Sequence, residues 1–182
     1  MRRGLLCLLL AGCGPASSPV DAGMDAGVID AGPTLTAFQQ ALLTAHDSVR
    51  ANAIPVPSPA LPAVHWSSSA QALAEDWAAR CDFVHRDPNS LGENLSAGTQ
   101  EFGPTEVVND WAAERSDYTW ATNTCRAGQA CGHYTQIVWR SSVGVGCAQQ
   151  RCTTGSPFGA GVWFFVVCDY EPAGNFIGQK PY

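Results

Sequence analysis

A chain of 182 residues with 46% hydrophobic and only 14% charged side chains has enough apolar material for one globular domain with its own core. Its formal charge of −6 argues against a broad basic face for nucleic acid. Eight cysteines at this length point to an oxidising compartment and to disulfides.

Met1-Arg-Arg-Gly is a short basic stretch, and Leu5 to Leu10 is an apolar run too short to span a membrane. The run ends in Leu10-Ala11-Gly12-Cys13, which resembles the processing box of bacterial lipoproteins. That resemblance implies a signal peptide over residues 1–12, cleavage before Cys13 and lipid on its sulfur. Several acyl chains on one residue anchor firmly, whereas a single chain is marginal. A plain secretory signal cleaved nearby is the alternative. On the lipoprotein reading Cys7 leaves with the signal, Cys13 carries lipid, and six cysteines remain, an even number suited to three bridges.

Residues 13–33 carry the expected lipid site and a tether of Gly, Ala, Ser, Pro and Asp, with Asp-Ala-Gly recurring at 21–23, 25–27 and 30–32. Such a segment buries too little to offset its ordering entropy, so a flexible linker is expected. Its aspartates lack the spacing and terminal Glu of a calcium loop and read as solubilising charges. The remaining residues, 34–182, form the expected domain and hold 13 acidic and 8 basic side chains.

A first helix is expected from near Thr36, with Phe38, Leu42, Ala45 and Val49 on one face and His46 and Arg50 on a neighbouring one. Four prolines between Asn52 and Pro62 end it. A second helix is expected after Trp66, where Ser68-x-x-Gln71 reads as a capping box and Trp66 as a staple. Ala70, Leu73 and Trp77 give it an apolar face, and it runs to about Cys81. From Cys81 to Leu95, Pro88 and Gly92 predict a loop. Its polar His85 and Glu93 stand among Phe83, Val84, Leu91 and Leu95, and need partners if buried. A third helix is expected over 105–116, with Val107, Val108, Trp111 and Ala112 on one arc and Glu114 at its margin.

Cys125 and Cys131 are close enough in sequence to close a small ring. The stretch Cys131-Gly-His-Tyr-Thr-Gln-Ile-Val-Trp139 then carries Ile137, Val138 and Trp139, which demand burial, with His133 just ahead where the backbone enters the core. Val143 to Cys147 alternates as a strand, and Val162 to Val167 is an apolar run short enough for a central strand. Helices followed by strands indicate an α+β fold with helices on a small antiparallel sheet.

Cys131 to Trp139, together with Phe165-Val-Val-Cys-Asp-Tyr-Glu-Pro-Ala-Gly-Asn175, closely resembles the two signature motifs of the CAP superfamily. That superfamily joins cysteine-rich secretory proteins, antigen 5 of venoms and pathogenesis-related class 1 proteins. His46-Asp-Ser-Val-Arg50, Gly92-Glu-Asn-Leu95 and Trp111-x-x-Glu114 are further marks of it. The resemblance covers about residues 36–182 and is strongest to the plant class 1 proteins, down to the closing Pro172 to Tyr182. It implies a three-layer α-β-α sandwich around a small central antiparallel sheet. Six cysteines alone allow 15 pairings, and the resemblance implies Cys81–Cys152, Cys125–Cys131 and Cys147–Cys168. Two positions depart from the family pattern: Asp169 stands where Asn, Gln, Arg, His or Ser is usual, and Arg86 follows His85 where Ser is common. In plant relatives the last eleven residues resemble a released signalling peptide; here Asn175, Pro181 and Tyr182 are expected to fix the tail to the fold.

The family cleft of two histidines and two glutamates maps onto His85, Glu93, Glu114 and His133. Two neutral imidazoles suit Zn²⁺ or another divalent ion, with none required for folding. Glu93 and Glu114 are suited to ligate, to orient a histidine or to move a proton. The expected function is that of a secreted, membrane-tethered CAP-domain protein with a metal-capable cleft and a non-enzymatic binding role. One alternative is a sterol- or lipid-binding module working through Gly98 to Pro104 with Phe102. Another is a metal-dependent, protease-like hydrolase using Glu93 or Glu114 as its base, against which stands the lack of an apparent Cys or Ser nucleophile and of an HExxH helix. The expected partners are a membrane, through Cys13, and a sterol, lipid or protein ligand. A monomer at the periplasmic or outer cell surface completes the reading.

Overall fold

The computed structural model describes residues 34–182; the expected signal peptide, the lipid site at Cys13 and the tether lie outside the described residues. Helix α1 (Ala37–Ala51) opens on Thr36, whose hydroxyl accepts the Gln39 amide while Gln39 Oε1 accepts the Thr36 amide at 2.8 Å. This reciprocal cap satisfies two of the amides that a helix start leaves without partners. Leu42, Leu43 and Ala45 are buried, and so are His46 and Arg50, which the periodicity placed on a neighbouring face.

Strand β1 (His65–Trp66) leads into α2 (Ser68–Ala78). The cap is Ser67, one residue earlier than Ser68, with its Oγ 3.0 Å from the Ala70 amide. With Ser67 as the cap the box position falls on Ala70, and the Gln71 side-chain oxygen instead accepts Trp66 Nε1 at 2.7 Å and Gln39 Nε2 at 3.1 Å. The helix ends at Ala78 rather than near Cys81, and its buried face is Ala70, Ala74 and Ala78, leaving Leu73 43% exposed. The alanine row brings α2 close to the sheet: a Cβ on Gly146 would lie 2.0 Å from the Gln71 backbone nitrogen. Burial there comes from backbone proximity, which periodicity weighted by side-chain size does not register.

The expected loop holds from Cys81 to Leu91, and strand β2 (Gly92–Gly98) begins where the loop was expected to continue to Leu95. Helix α3 (Pro104–Ala113) stops short of Ser116 and tightens into a 3₁₀ turn, Glu114–Asp117. The hairpin strands β3 (Tyr118–Thr119) and β4 (Thr124–Cys125), the short α4 (Gly132–Ile137), β5 (Gly144–Cys152) and β6 (Trp163–Glu171) complete the chain. The main sheet runs β1-β5-β6-β2 and is antiparallel except for the short parallel β1–β5 pair.

β6 is the centre of the sandwich, and its alternation separates two cores. Trp163, Phe165 and Val167 pack with Leu95, Ala74 and Ala78 on the α2 side. Val166, Cys168 and Tyr170 pack on the other side with Leu42 of α1, Val107, Val108 and Trp111 of α3, and Tyr134 and Ile137 of α4. Disulfides join Cys81 to Cys152, Cys125 to Cys131, and Cys147 to Cys168. The last of these bridges opposed residues of β5 and β6.

Candidate functional site

Four separate segments meet at the end of the sheet next to β2. Glu93 is the second residue of β2, His85 lies in the loop before it, Glu114 opens the 3₁₀ turn after α3, and His133 is in the first turn of α4. Gly92 permits the approach of α4 to β2, since a Cβ there would lie 2.2 Å from Gln136 Oε1. Gln136 is itself buried; its oxygen accepts the Gly174 amide and its nitrogen donates to Ser142. The resulting cleft of about 300 Å³ is lined by His85, Glu93, Asn94, Ala130, Gly132, His133 and Asn175.

Glu114 has two tasks, one for each oxygen. Oε2 accepts the backbone amides of His133 at 2.9 Å and Tyr134 at 3.2 Å, capping α4, and Oε1 lies 2.6 Å from His133 Nδ1. Burial alone would raise this carboxyl, but the His133 ring and the two amides outweigh it and hold Glu114 below its ordinary value. The His133 ring stacks on Trp111, with centroids 5.8 Å apart and planes inclined by 24°. Trp111 is held in turn by a hydrogen bond from Nε1 to the Leu95 carbonyl.

Glu93 plays the matching part for the second histidine. Its Oε1 lies 2.7 Å from His85 Nδ1 and accepts the Arg86 amide at 3.1 Å. The His85 side chain is 64% exposed while that of Glu93 is 3% exposed, so the carboxylate forms the wall and the imidazole faces the opening. The hydrogen bond to Glu93 raises His85 above its ordinary pKa.

Each imidazole is thus tied through Nδ1 to a carboxylate, and among the described residues neither Nε2 has a hydrogen-bond partner. A neutral ring with Nδ1 donating to a carboxylate leaves the Nε2 lone pair available, which is the arrangement metal-binding histidines use. The fit is partial, because among the described residues no three His, Cys, Asp or Glu side chains gather to enclose an ion. The cleft therefore offers two nitrogen donors, with the glutamates occupied in aiming them. Among the described residues that line it there is no alcohol and no free thiol.

Behind the cleft lies a chain of buried polar groups that the sequence patterns did not reveal. Asn94 Nδ2 donates to the His133 carbonyl at 3.2 Å and to Tyr170 Oη at 3.1 Å. Tyr170 is 2.9 Å from His46 Nε2, and His46 Nδ1 is 2.8 Å from the Leu42 carbonyl, which fixes the tautomer with Nδ1 protonated and Tyr170 donating. Complete burial pushes His46 down to about 4, so it is a neutral structural group. Arg50, one turn on, spends its guanidinium on the carbonyls of Pro62, Ile137, Trp139 and Arg140, fixing the chain that leaves α4. The i, i+4 spacing of His46 and Arg50 was the available signal, but it does not distinguish a buried pair from a solvated one.

The lipid-binding segment expected at Gly98 to Pro104 turns its one large apolar side chain inward: Phe102 packs against the core, close over Gly98. The C-terminal tail is fastened at several points. Pro181 accepts the Arg140 amide at 2.7 Å, Asn175 bonds Thr135 and the Gly132 carbonyl, and Lys180 sits 3.7 Å from the centre of the Trp120 ring.

The pattern that defines the family described as "Cysteine-rich secretory protein family" (CAP) matches residues 43–170. Tomato (Solanum lycopersicum) pathogenesis-related leaf protein 4 is 43% identical over 116 residues, 64% of this chain and 67% of the relative. Tobacco (Nicotiana tabacum) pathogenesis-related protein 1B is 40% identical over 149 residues, covering 79% and 80%. Among solved structures, venom allergen-like protein 4 of Schistosoma mansoni superposes with a TM-score of 0.64 at 24% identity, covering 81% of this chain and 95% of the other. NaASP2 solved with Zn²⁺ superposes with a TM-score of 0.63 at 22% identity, covering 81% and 86%. At these identities the two structures speak for the fold.

Proposed function

The chain belongs to the cysteine-rich secretory protein (CAP) family, and on that premise we propose that it is a secreted binding module whose cleft takes a divalent cation, such as Zn²⁺, on His85 and His133. One observation carries the reading: both imidazoles in the cleft are held by a carboxylate at Nδ1 and keep Nε2 without a partner. The solution of NaASP2 with Zn²⁺ supports it by analogy of fold. Two histidines leave coordination positions for water or for an oxygen of a ligand, which a bound ion would attract and polarise.

Binding is favoured over hydrolysis because the residues a hydrolase would need are otherwise engaged. Glu114 is committed to three hydrogen bonds around His133, and Glu93 to His85 and the Arg86 amide. Glu93 Oε2 has no hydrogen bond among the described residues, but it is buried 3.5 Å from the Arg86 guanidinium, which disfavours it as a general base. Three disulfides favour an oxidising compartment. Anchoring through lipid on Cys13, on the periplasmic or outer face, belongs to the same proposal. Mass spectrometry showing an acylated Cys13 at the mature N-terminus supports it, and a mature chain starting elsewhere rejects it.

The test is a calorimetric titration of the oxidised protein with Zn²⁺, beside a His85→Ala/His133→Ala variant. One-to-one binding that the variant loses, with an unchanged circular dichroism spectrum, is the expected result. Absent binding, or equal binding by both proteins, would remove the cation from the account.

A further inference from the structure

The two positions at which this chain departs from the family pattern touch each other. Arg86 Nη2 lies 2.6 Å from Asp169 Oδ2, with the Asp169 side chain fully buried and that of Arg86 15% exposed. Asp169 occupies a place on β6 that continues the inward row of Trp163, Phe165 and Val167, beneath α2. In register it stands between Gly146 on β5 and Glu93 on β2. Two carboxylates on the same face of adjacent strands repel unless a cation intervenes. The Arg86 guanidinium is that cation. It leans to Asp169, stays 3.5 Å from Glu93 Oε2, and reaches the Leu73 carbonyl of α2 at 3.3 Å.

We infer that Arg86 and Asp169 are a positioning pair for the cleft: Asp169 draws the guanidinium aside, leaving Glu93 free to hold His85. This rests on the cation reading for its purpose, though not for its geometry. Glu93 has one oxygen that accepts both His85 Nδ1 and the Arg86 amide, and a second that has no hydrogen bond among the described residues. With Asp169 neutralised, the nearest anion to the guanidinium is that second oxygen. Arg86 then closes onto Glu93 in the fork geometry that carboxylates favour, and Glu93 is pulled off His85. With Arg86 removed instead, two buried carboxylates face each other without a cation. With both changed, Glu93 is the one carboxylate left at this place, with neither a guanidinium to pull it off His85 nor a second carboxylate against it, so the two effects are not additive.

The test uses Arg86→Ser, Asp169→Asn and the double variant. Three measurements apply to each: the downfield His85 Nδ1–H proton resonance without metal, the Zn²⁺ affinity by calorimetry, and the melting temperature. The wild-type and double-variant proteins should show the resonance and bind Zn²⁺ equally within error. Asp169→Asn should lose the resonance and bind about tenfold more weakly, the usual cost of losing a partner behind a metal-binding histidine. Arg86→Ser should melt lowest. If Asp169→Asn does not fold, Arg86→Lys serves in its place: it keeps a cation beside Asp169 and should keep the resonance. An Asp169→Asn protein with intact resonance and wild-type affinity, or an Arg86→Lys protein that loses the resonance while melting normally, overturns the inference. If none of the proteins binds Zn²⁺ while the resonance follows the expected order, the positioning pair stands and the cation reading falls.

Discussion

Glu114 holds His133 at two places, its backbone amide through Oε2 at 2.9 Å and its ring through Oε1 at 2.6 Å. The carboxylate that caps α4 therefore also sets the tautomer of a cleft histidine. Glu114→Gln keeps an oxygen for the amides but presents an NH₂ group where Nδ1–H must donate. The expected result is a modest loss of stability, about 1 kcal/mol, together with a Zn²⁺ affinity about tenfold lower. A variant that binds as the wild-type protein does would show that the ring needs no acceptor at Nδ1.

His46 and Asp169 make opposed contributions to the pH dependence of stability. His46 falls from 6.5 to about 4 on folding, so between these values the unfolded chain binds the extra proton and stability is lost as pH falls. Burial raises Asp169 from 3.8 to about 6 despite Arg86, so there the folded chain holds the extra proton and stability is lost as pH rises through 6. Between pH 4 and 6 the two nearly offset. The Arg86→Ser/Asp169→Asn variant removes the second, so relative to wild type its stability should fall on acidification by about 1.4 kcal/mol per pH unit. Urea titrations at several pH values check this, and parallel curves for the two proteins would contradict it.

Gly146 marks the closest approach of α2 to the sheet, and the atoms a Cβ would meet there are backbone. Gly146→Ala must therefore push the helix off β5 rather than turn a side chain aside. The expected cost is about 3 kcal/mol, at the upper end for overpacking, read as a lowered denaturation midpoint with an unchanged slope. A variant within about 0.5 kcal/mol of wild type, the size of a neutral surface change, would mean the helix is less tightly seated.

The disulfides span very different loops, with 71 residues between Cys81 and Cys152 in sequence separation and 6 between Cys125 and Cys131. Loop-closure entropy assigns the longer bridge the greater constraint on the unfolded chain, by about 2 kcal/mol. Replacing Cys81 and Cys152 together by alanine should therefore lower stability more than replacing Cys125 and Cys131. The reverse order in denaturant titrations would place the main effect in the native contacts of the short loop instead.

The fold class was legible because β6 is a nearly unbroken apolar run and α1 has its apolar stripe and its Thr36 cap in the local sequence. The family motifs pointed to His85, Glu93, Glu114 and His133, which the fold brings together as two hydrogen-bonded pairs, and anticipated the sandwich. Local patterns failed where contact is made by small or polar groups. The start of β2 reads as loop because Gly92 lies against Gln136, and Glu93 and Asn94 line the cleft, rather than packing on an apolar surface. The face of α2 was misjudged because three alanines, not Leu73, meet the sheet. Arg86 and Asp169 each looked like an isolated oddity, since 83 residues separate them and only the fold brings the charges together.

His85 and His133 present Nε2 to the cleft while Nδ1 stays bound to a carboxylate. A long-range proton–nitrogen NMR spectrum of histidine-labelled protein, recorded with and without Zn²⁺, tests it directly. Nε2 of His85 and His133 should shift on adding the ion, with both Nδ1 atoms remaining protonated and His46 and His65 unchanged. Shifts at Nδ1, or a response confined to His65, would contradict it.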